Sequence, residues 1–393
     1  MNGSHPTTTL LRNARLVLPG RIAEEGSLLI NKDLIVRLLG PARDFPASDS
    51  VIDLSGLTLF PGFIDIHIHG SVGVDTMQAG ADDLYKLSQF LARRGVTGWM
   101  PTLVPGPREQ YASAVRAIEQ LILDQESELP GARALGVHYE GPFVNSAKCG
   151  ALHQDHFRRF SNPAELDSLP VPKQGFKLMT MAPEIEGGIE LVRELSTRKW
   201  ITSIGHTCAG INVLDQAYAA GARHMTHFMN AMAPFDHRSP GPVAWGLGRD
   251  DVTCDFIADG IHLDPFVLRL LAKLKGSNRL VLISDAIAAA GKGDGEYDIW
   301  GEKITVKNGR TSNARGSIAG SVISLVDAVK MMLSLGVSEL EVARMAATNP
   351  ARLLGIQNEC GTIEEGKRAD LVALDQEGSV ALTLVGGVVA HHR

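Results

Sequence analysis

The sequence predicts an α/β fold: a TIM-like (β/α)8 barrel with a small β-sandwich domain built from both chain ends. Three observations lead there. Eight strand-like runs in the middle of the chain alternate with segments of helical period, the pattern of a parallel sheet closed through helical crossovers. Both chain ends instead alternate and turn like short β-strands. Finally, histidines and carboxylates recur where the central strand runs end, the rim on which barrels of this type carry their chemistry.

In chain order, "TTLLRNARLVL", "GSLLINKDLIVRLLG" and "SVIDLSGLTLF" are separated by Pro, Gly and Asp-Ser breaks and lack helical period. "GTIEEGKRADLVALD" and "SVALTLVGGVVAH" near the other end read the same way. Neither end could form a stable sheet alone, so residues 1–58 and 356–393 are expected to pair into one small β domain, with residues 59–355 inserted as the barrel.

The barrel begins at "PGFIDIHIHG", Pro61 to Gly70. Strict strand alternation would put Ile64, Ile66 and Ile68 on one face, under a covering helix, and Phe63, Asp65, His67 and His69 on the other. The later strand runs are "VTGWMPTLV", "RALGVHYEGPF", "FKLMTMAPE", "WITSIGH", "ARHMTHFMNAM", "VTCDFIADGIH" and "RLVLISDAIAAAG". Between them lie amphipathic segments such as "DDLYKLSQFLARRG", "EQYASAVRAIEQLILDQE", "IELVRELSTRK" and "VLDQAYAAG". An open doubly wound sheet is the alternative, but no G-x-G-x-x-G follows the first strand. After the eighth run, "KNGR" signals a hairpin in a β excursion expected to lie over the barrel mouth. "SVISLVDAVKMMLSLG" and "ELEVARMAATNPARLLGI" then close the barrel as helices.

Composition narrows the function. With 44% hydrophobic and 21% charged residues the chain can bury a large core as an ordinary soluble protein. A net charge of −6 argues against nucleic acid or an anionic membrane as partner, and no run of about 18 apolar residues marks a membrane span. Cys149, Cys208, Cys254 and Cys360 are scattered, so no disulfide framework is expected. "MNGSHPTTTLLRNARLVLPG" lacks the pattern of a signal peptide, and a cytoplasmic location is expected.

Six groups of metal-ligand type, His67, His69, Glu140, His206, His227 and Asp285, come from five strand ends and should meet in one pocket. One such residue is most simply a satisfied core group. Six together are not, because unpaired polar groups there would cost several kcal/mol. The set lacks a thiolate and suits Zn²⁺ or Fe²⁺ better than Mg²⁺. It exceeds what one tetrahedral ion needs. Two ions bridged by Glu140 would use it fully, with His67, His69 and Asp285 at one and His206 and His227 at the other. His138 and Asp65 share strand parity with Glu140 and His67 and are expected one layer deeper, hydrogen-bonding to ligands. His224, placed on the opposite face from His227, is expected to be structural, and Cys208 not to ligate.

Together "PGFIDIHIHG", "GVHYEGPF", "APE", "SIGHT", "THFMNAM", "IADGIHLD", "LISDA", "GSIAGS", "NPARLLGI" and "GTIEEGKRADLV" resemble the N-acetylglucosamine-6-phosphate deacetylases of the amidohydrolase superfamily, from about Leu59 to Val372. The resemblance implies that Glu140, His206 and His227 bind the principal metal and that Asp285 is the catalytic acid/base. Because this chain keeps His67 and His69, it resembles the branch able to hold two ions. Asn230 and Ala231, with Arg238 reaching across a homodimer, would hold the sugar phosphate. His262 would contact the sugar, and Ile318, Ala319 and Gly320 would line its pocket. The family usually has a histidine or glutamine twelve residues after the strand-three glutamate. Here Leu152 stands there and His153 follows, while the loop before Arg238 is one residue longer than the common pattern. Both departures bear on which sugar is bound.

The implied reaction is hydrolysis of a linear amide, N-acetylglucosamine 6-phosphate giving glucosamine 6-phosphate and acetate. A metal-activated hydroxide would attack the acetyl carbonyl while Asp285 moves the proton. His262 and His153 would position the sugar. Related hydrolases of cyclic amides or N-acyl amino acids are one rival. Many of those bridge their metals with a carboxylated lysine from strand four, and "MTMAPE" has no lysine at its end. A non-catalytic scaffold is the other rival, and it would have shed ligands that this chain retains.

Overall fold

A computed structural model describes residues 7–41, 45–125 and 130–393. Eight parallel strands succeed one another in sequence order: Phe63–Ile68, Val96–Leu103, Gly136–Glu140, Phe176–Met181, Ile201–Ile204, His224–Met225, Thr253–Ile257 and Leu280–Ile283. Each pairs with the next through parallel ladders. Strand eight returns to strand one where Asp285 N–H donates to the His67 carbonyl at 2.9 Å and His69 N–H to that of Ala286 at 2.8 Å. The crossovers include helices Ala81–Arg93, Arg108–Asp124, Gly188–Thr197 and Ile211–Ala220, whose buried leucines, valines and isoleucines form the layer outside the strands. Among the described residues no helix is long and apolar enough to cross a membrane.

The bore is filled by one apolar cluster fed from many strands: Ile64 and Ile66, Met100, Leu178, Ile257, Val281 and Ile283. Ala351, Leu354 and Ile356 join the same cluster. This corrects the strict alternation expected for "FIDIHI". The pairing of strand one with strand two is irregular between Asp65 and Ile68. Ile64 and Ile66 therefore pack inward, whereas Phe63 and Ile68 join the helix layer. An irregularity of this kind re-aims side chains. Here it lets His67 and His69 share the bore with the isoleucines that precede them.

Strands from both chain ends form one further sheet. Thr8–Leu18 lies between Arg21–Asn31 and Thr58–Pro61, and Thr58–Pro61 pairs with Leu371–Leu374, followed by Val380–Val385 and Val388–His392. The small domain is thus one continuous sheet rather than two separate ones, and Leu11, Leu28, Ile35, Leu59, Leu371 and Leu384 share its core. After strand eight, Gly295–Ile299, Glu302–Lys307 and Arg310–Ser312 form a three-stranded antiparallel excursion. Its "KNGR" hairpin places Asn308 at φ 51° and Gly309 at φ 75°, the left-handed pair that a two-residue turn demands.

Candidate metal centre

All six metal-type donors lie at the C-terminal rim of the barrel. Glu140 is the last residue of strand three, while His206, His227 and Asp285 each stand two residues beyond their strands. At those three the backbone turns left-handed, with φ of 48°, 30° and 49°. Non-glycine residues seldom adopt this region, and such strain concentrates at functional positions. The geometry beside Asp285 is correspondingly tight. Gly320 has φ 58°, and a Cβ there would stand 2.8 Å from the Asp285 carbonyl oxygen.

The donors fall into two triads. In the first, Glu140 Oε1 lies 2.8 Å from His206 Nε2 and 3.0 Å from His227 Nε2, and the two Nε2 atoms are 3.1 Å apart. In the second, His67 and His69 Nε2 are 3.1 Å apart, and Asp285 Oδ1 is 3.4 and 3.2 Å from them. Glu140 Oε2, 3.2 Å from His69 Nε2, joins the triads. Donors at about 2.1 Å around a tetrahedral ion stand about 3.4 Å from one another, so the second triad has nearly the spacing of one ion, while the first is somewhat closer and would open slightly around one. The outer ring atoms fit too. His206 Nδ1 faces the Lys148 carbonyl at 2.7 Å, which seats a proton there and makes Nε2 the atom available to an ion once one is bound. His69 Nδ1 faces the Thr102 carbonyl at 3.3 Å.

The electrostatics ask for positive charge. Burial works against ionisation of His69, but its hydrogen bonds to Asp285 and Glu140 prevail and raise its pKa to about 10. His227 rises to about 9 against burial through Glu140. Burial opposes Glu140 ionisation as well, yet hydrogen bonds from His206 and His227 hold it well below the usual carboxylate range. The carboxylates that retain these protons would equally compensate a divalent cation.

His138 is not a donor to either triad. Burial first, and His67 second, hold it well below its usual pKa, and it bridges the Ile66 carbonyl (2.9 Å) and Thr180 Oγ1 (2.8 Å). Asp65 Oδ1 accepts the His67 and Ser284 main-chain N–H groups, each at 3.3 Å, so it supports strand one where it meets strand eight. His224 bonds Asp255 at 2.8 Å, and that carboxylate also accepts the His227 main-chain N–H. The His224 ring and the His227 main chain are therefore tied to one carboxylate, and His224 joins neither triad. Cys208 is exposed.

Around the rim, His262 Nδ1 is held by Asp259 Oδ2 at 2.7 Å. Asn230 Nδ2 and His153 Nε2 are buried without a partner, whereas Leu152 packs into the core. Ala231 has φ 49°, and its carbonyl accepts Thr207 N–H at 3.1 Å. Ala319 N–H bonds Thr311 Oγ1 at 3.1 Å, next to Ile318 and Gly320. Arg238 is exposed and forms no ion pair among the described residues. Three residues escape sequence reasoning. Asp255 and Asp259 are inconspicuous in "TCDFIADGIH", where acidic spacing against His262 is the only signal. Trp300, at the tip of the excursion, packs edge-on against His69 with ring centroids 5.2 Å apart. A cleft of about 950 Å³ lies elsewhere, between the chain-end sheet and helix Leu325–Ser334, and none of the six donors lines it.

A (β/α)8 barrel with two His/carboxylate triads on its C-terminal rim defines the class of metal-dependent barrel hydrolases. The chain belongs to the Amidohydrolase family, whose model matches residues 58–390. It is 34% identical over 386 residues to the N-acetylglucosamine-6-phosphate deacetylase of Bacillus subtilis, covering 97% of this chain and 96% of the relative. It is 36% identical over 347 residues to the N-acetylgalactosamine-6-phosphate deacetylase of Escherichia coli O157:H7, covering 88% and 91%. Among solved structures, a mutant N-acetyl-D-glucosamine-6-phosphate deacetylase from Mycobacterium smegmatis, in complex with N-acetyl-D-glucosamine-6-phosphate, superposes with a TM-score of 0.87 at 29% identity, covering 98% of this chain and 99% of that one.

Proposed function

We propose that this chain hydrolyses the acetamide of an N-acetylated amino-sugar 6-phosphate, N-acetylglucosamine 6-phosphate in the first instance, releasing acetate. The observation that carries the reading is the pair of triads joined by Glu140 on a chain so similar to deacetylases of this substrate class. A galactosamine substrate is the second reading, favoured by the 36% identity to the E. coli relative.

His206, His227 and Glu140 would hold the principal ion, zinc or iron from the donor set, and His67, His69 and Asp285 a second. When bound, such an ion lowers the pKa of water to about 7 and polarises the amide carbonyl. Asp285 is the acid/base: its side chain, 9% exposed, is the most open of the carboxylate and imidazole donors. It removes the proton from the attacking water and returns it to the departing amine nitrogen. Neither histidine beside it can take that role, since each Nε2 is turned toward a carboxylate of the triads. His262, oriented by Asp259, contacts the sugar, and His153 supplies the polar atom that Leu152 cannot. Asn230, Ala231 and the unpaired Arg238 serve the phosphate, with Arg238 provided by the second subunit of a homodimer. Binding at the phosphate, remote from the reacting bond, orients the amide for attack.

The decisive assay is acetate release from N-acetylated glucosamine, galactosamine and mannosamine, each with and without the 6-phosphate. Preference for a phosphorylated N-acetylhexosamine supports the reading, and no release from any of them rejects it. Arg238→Ala should raise KM for the phosphorylated sugar far more than for its unphosphorylated analogue. Equal effects would remove Arg238 from the phosphate site.

A further inference from the structure

His227 is the first-triad imidazole without a second ring partner. Its Nδ1 is buried and bonded to nothing, whereas His206 Nδ1 has the Lys148 carbonyl at 2.7 Å. A metal-bound histidine ordinarily donates its other N–H to an oxygen, which fixes tautomer and ring angle. His227 also sits at φ 30°, left-handed backbone that non-glycine residues seldom adopt. Both facts require that something other than the ring hold this residue in place.

Asp255, fully buried on strand seven, is placed to do so. Its Oδ1 accepts the His227 main-chain N–H, and its main-chain carbonyl accepts the next N–H, that of Phe228, at 2.8 Å. Its Oδ2 faces His224 Nε2 at 2.8 Å, and His224 Nδ1 meets Thr253 Oγ1 at 2.7 Å. Asp255 therefore grips the turn at two successive amides while His224 and Thr253 orient the carboxylate. We propose that Asp255 is the positioning residue for His227, acting through the main chain rather than the imidazole, and that ion binding by Glu140, His206 and His227 depends on it. A plain core pair joining strands six and seven would contribute to stability alone and leave ion affinity unchanged.

The inference rests on the metal reading above, and the experiment separates the two. In a His67→Ala/His69→Ala background, which leaves the first triad alone, Zn²⁺ affinity is measured by competition with a chromophoric chelator, alongside thermal unfolding of the metal-free protein. Asp255→Ala should weaken Zn²⁺ binding by about 10- to 100-fold, the scale for losing an outer partner of a metal ligand. Asp255→Asn, which keeps an oxygen for the His227 N–H, should fall between it and the parent. His224→Gln leaves the carboxylate but removes its orienting ring, and should cost about tenfold. This variant decides the matter should Asp255→Ala fail to fold. Parent-like affinity in the Asp255 and His224 variants, with only a lower unfolding temperature, overturns the role of Asp255 and spares the metal reading. A background protein that binds no Zn²⁺ overturns both.

Discussion

The two triads use the same kinds of donor, yet the fold supports them differently. Around Glu140, His206 and His227 the donor atoms lie 2.8–3.1 Å apart. His206 is fixed at its far nitrogen by a carbonyl, and His227 is held at its amide. Around His67, His69 and Asp285 the spacing loosens to 3.1–3.4 Å. His67 Nδ1 has no partner, as His227 Nδ1 has none, and His69 Nδ1 meets the Thr102 carbonyl only at 3.3 Å, longer than the 2.7 Å contact of His206; the main chains of His69 and Asp285 are held by Ala286, His67 and Ser321 at 2.7–2.9 Å. Preformed donors lose less freedom on binding, so the first triad should hold its ion more tightly than the second. The second triad instead carries the slightly more open carboxylate, Asp285 at 9% against 6% for Glu140, in keeping with the acid/base role proposed for it.

Four changes would break or sharpen this contrast. The largest is Glu140→Ala, which removes the carboxylate common to both triads. Metal analysis should find both ions lost, and acetate release should fall by at least about 10³-fold, since a Lewis acid supplies several kcal/mol of transition-state stabilisation. Retention of either ion would show that the triads are independent. Next is Asp285→Asn, expected to lower kcat by about 10²–10⁴-fold while the first triad keeps its metal. Near-normal turnover would refute the acid/base role.

His67→Ala with His69→Ala should remove one ion and cost less than about 10²-fold, if the tighter triad carries the reaction. A loss as deep as that of Glu140→Ala would mean the two act as a single unit. The smallest effect concerns pH. With pKa values of about 10 and 9, His69 and His227 are protonated at pH 7 in the metal-free protein, so binding ions must expel both protons. Affinity therefore drops as pH is lowered and protons compete. Calorimetry in buffers of differing ionisation enthalpy should register the release, and a buffer-independent heat would contradict it.

Much of this architecture is legible in the amino-acid sequence alone. The eight strands, the rim positions of His67 through Asp285 and the "KNGR" turn depend on local pattern and on the rule that barrel strand ends converge. What escapes depends on contacts between distant segments. The irregularity after Asp65 arises from pairing with strand two, so no pattern within "FIDIHI" announces it. Asp255 reads as one carboxylate in an apolar strand until the left-handed turn at His227 brings an amide to it. Trp300 reads as an ordinary aromatic until the excursion folds back onto His69. Helix Pro265–Lys275 is obscure in the sequence because Phe266, Leu270 and Leu274, spaced four apart, are exposed and blur its apolar face.

The sheet shared by the two chain ends has a consequence for biogenesis. Thr58–Pro61 finds one edge neighbour in Thr8–Leu18 and the other in Leu371–Leu374, more than three hundred positions downstream. During synthesis the early segment must wait, with Leu11, Leu28 and Leu59 incompletely covered, until Leu371–Leu374 has left the ribosome. That sheet matures late, and its window of greatest vulnerability to aggregation closes only when Leu371–Leu374 and the strands paired with it arrive.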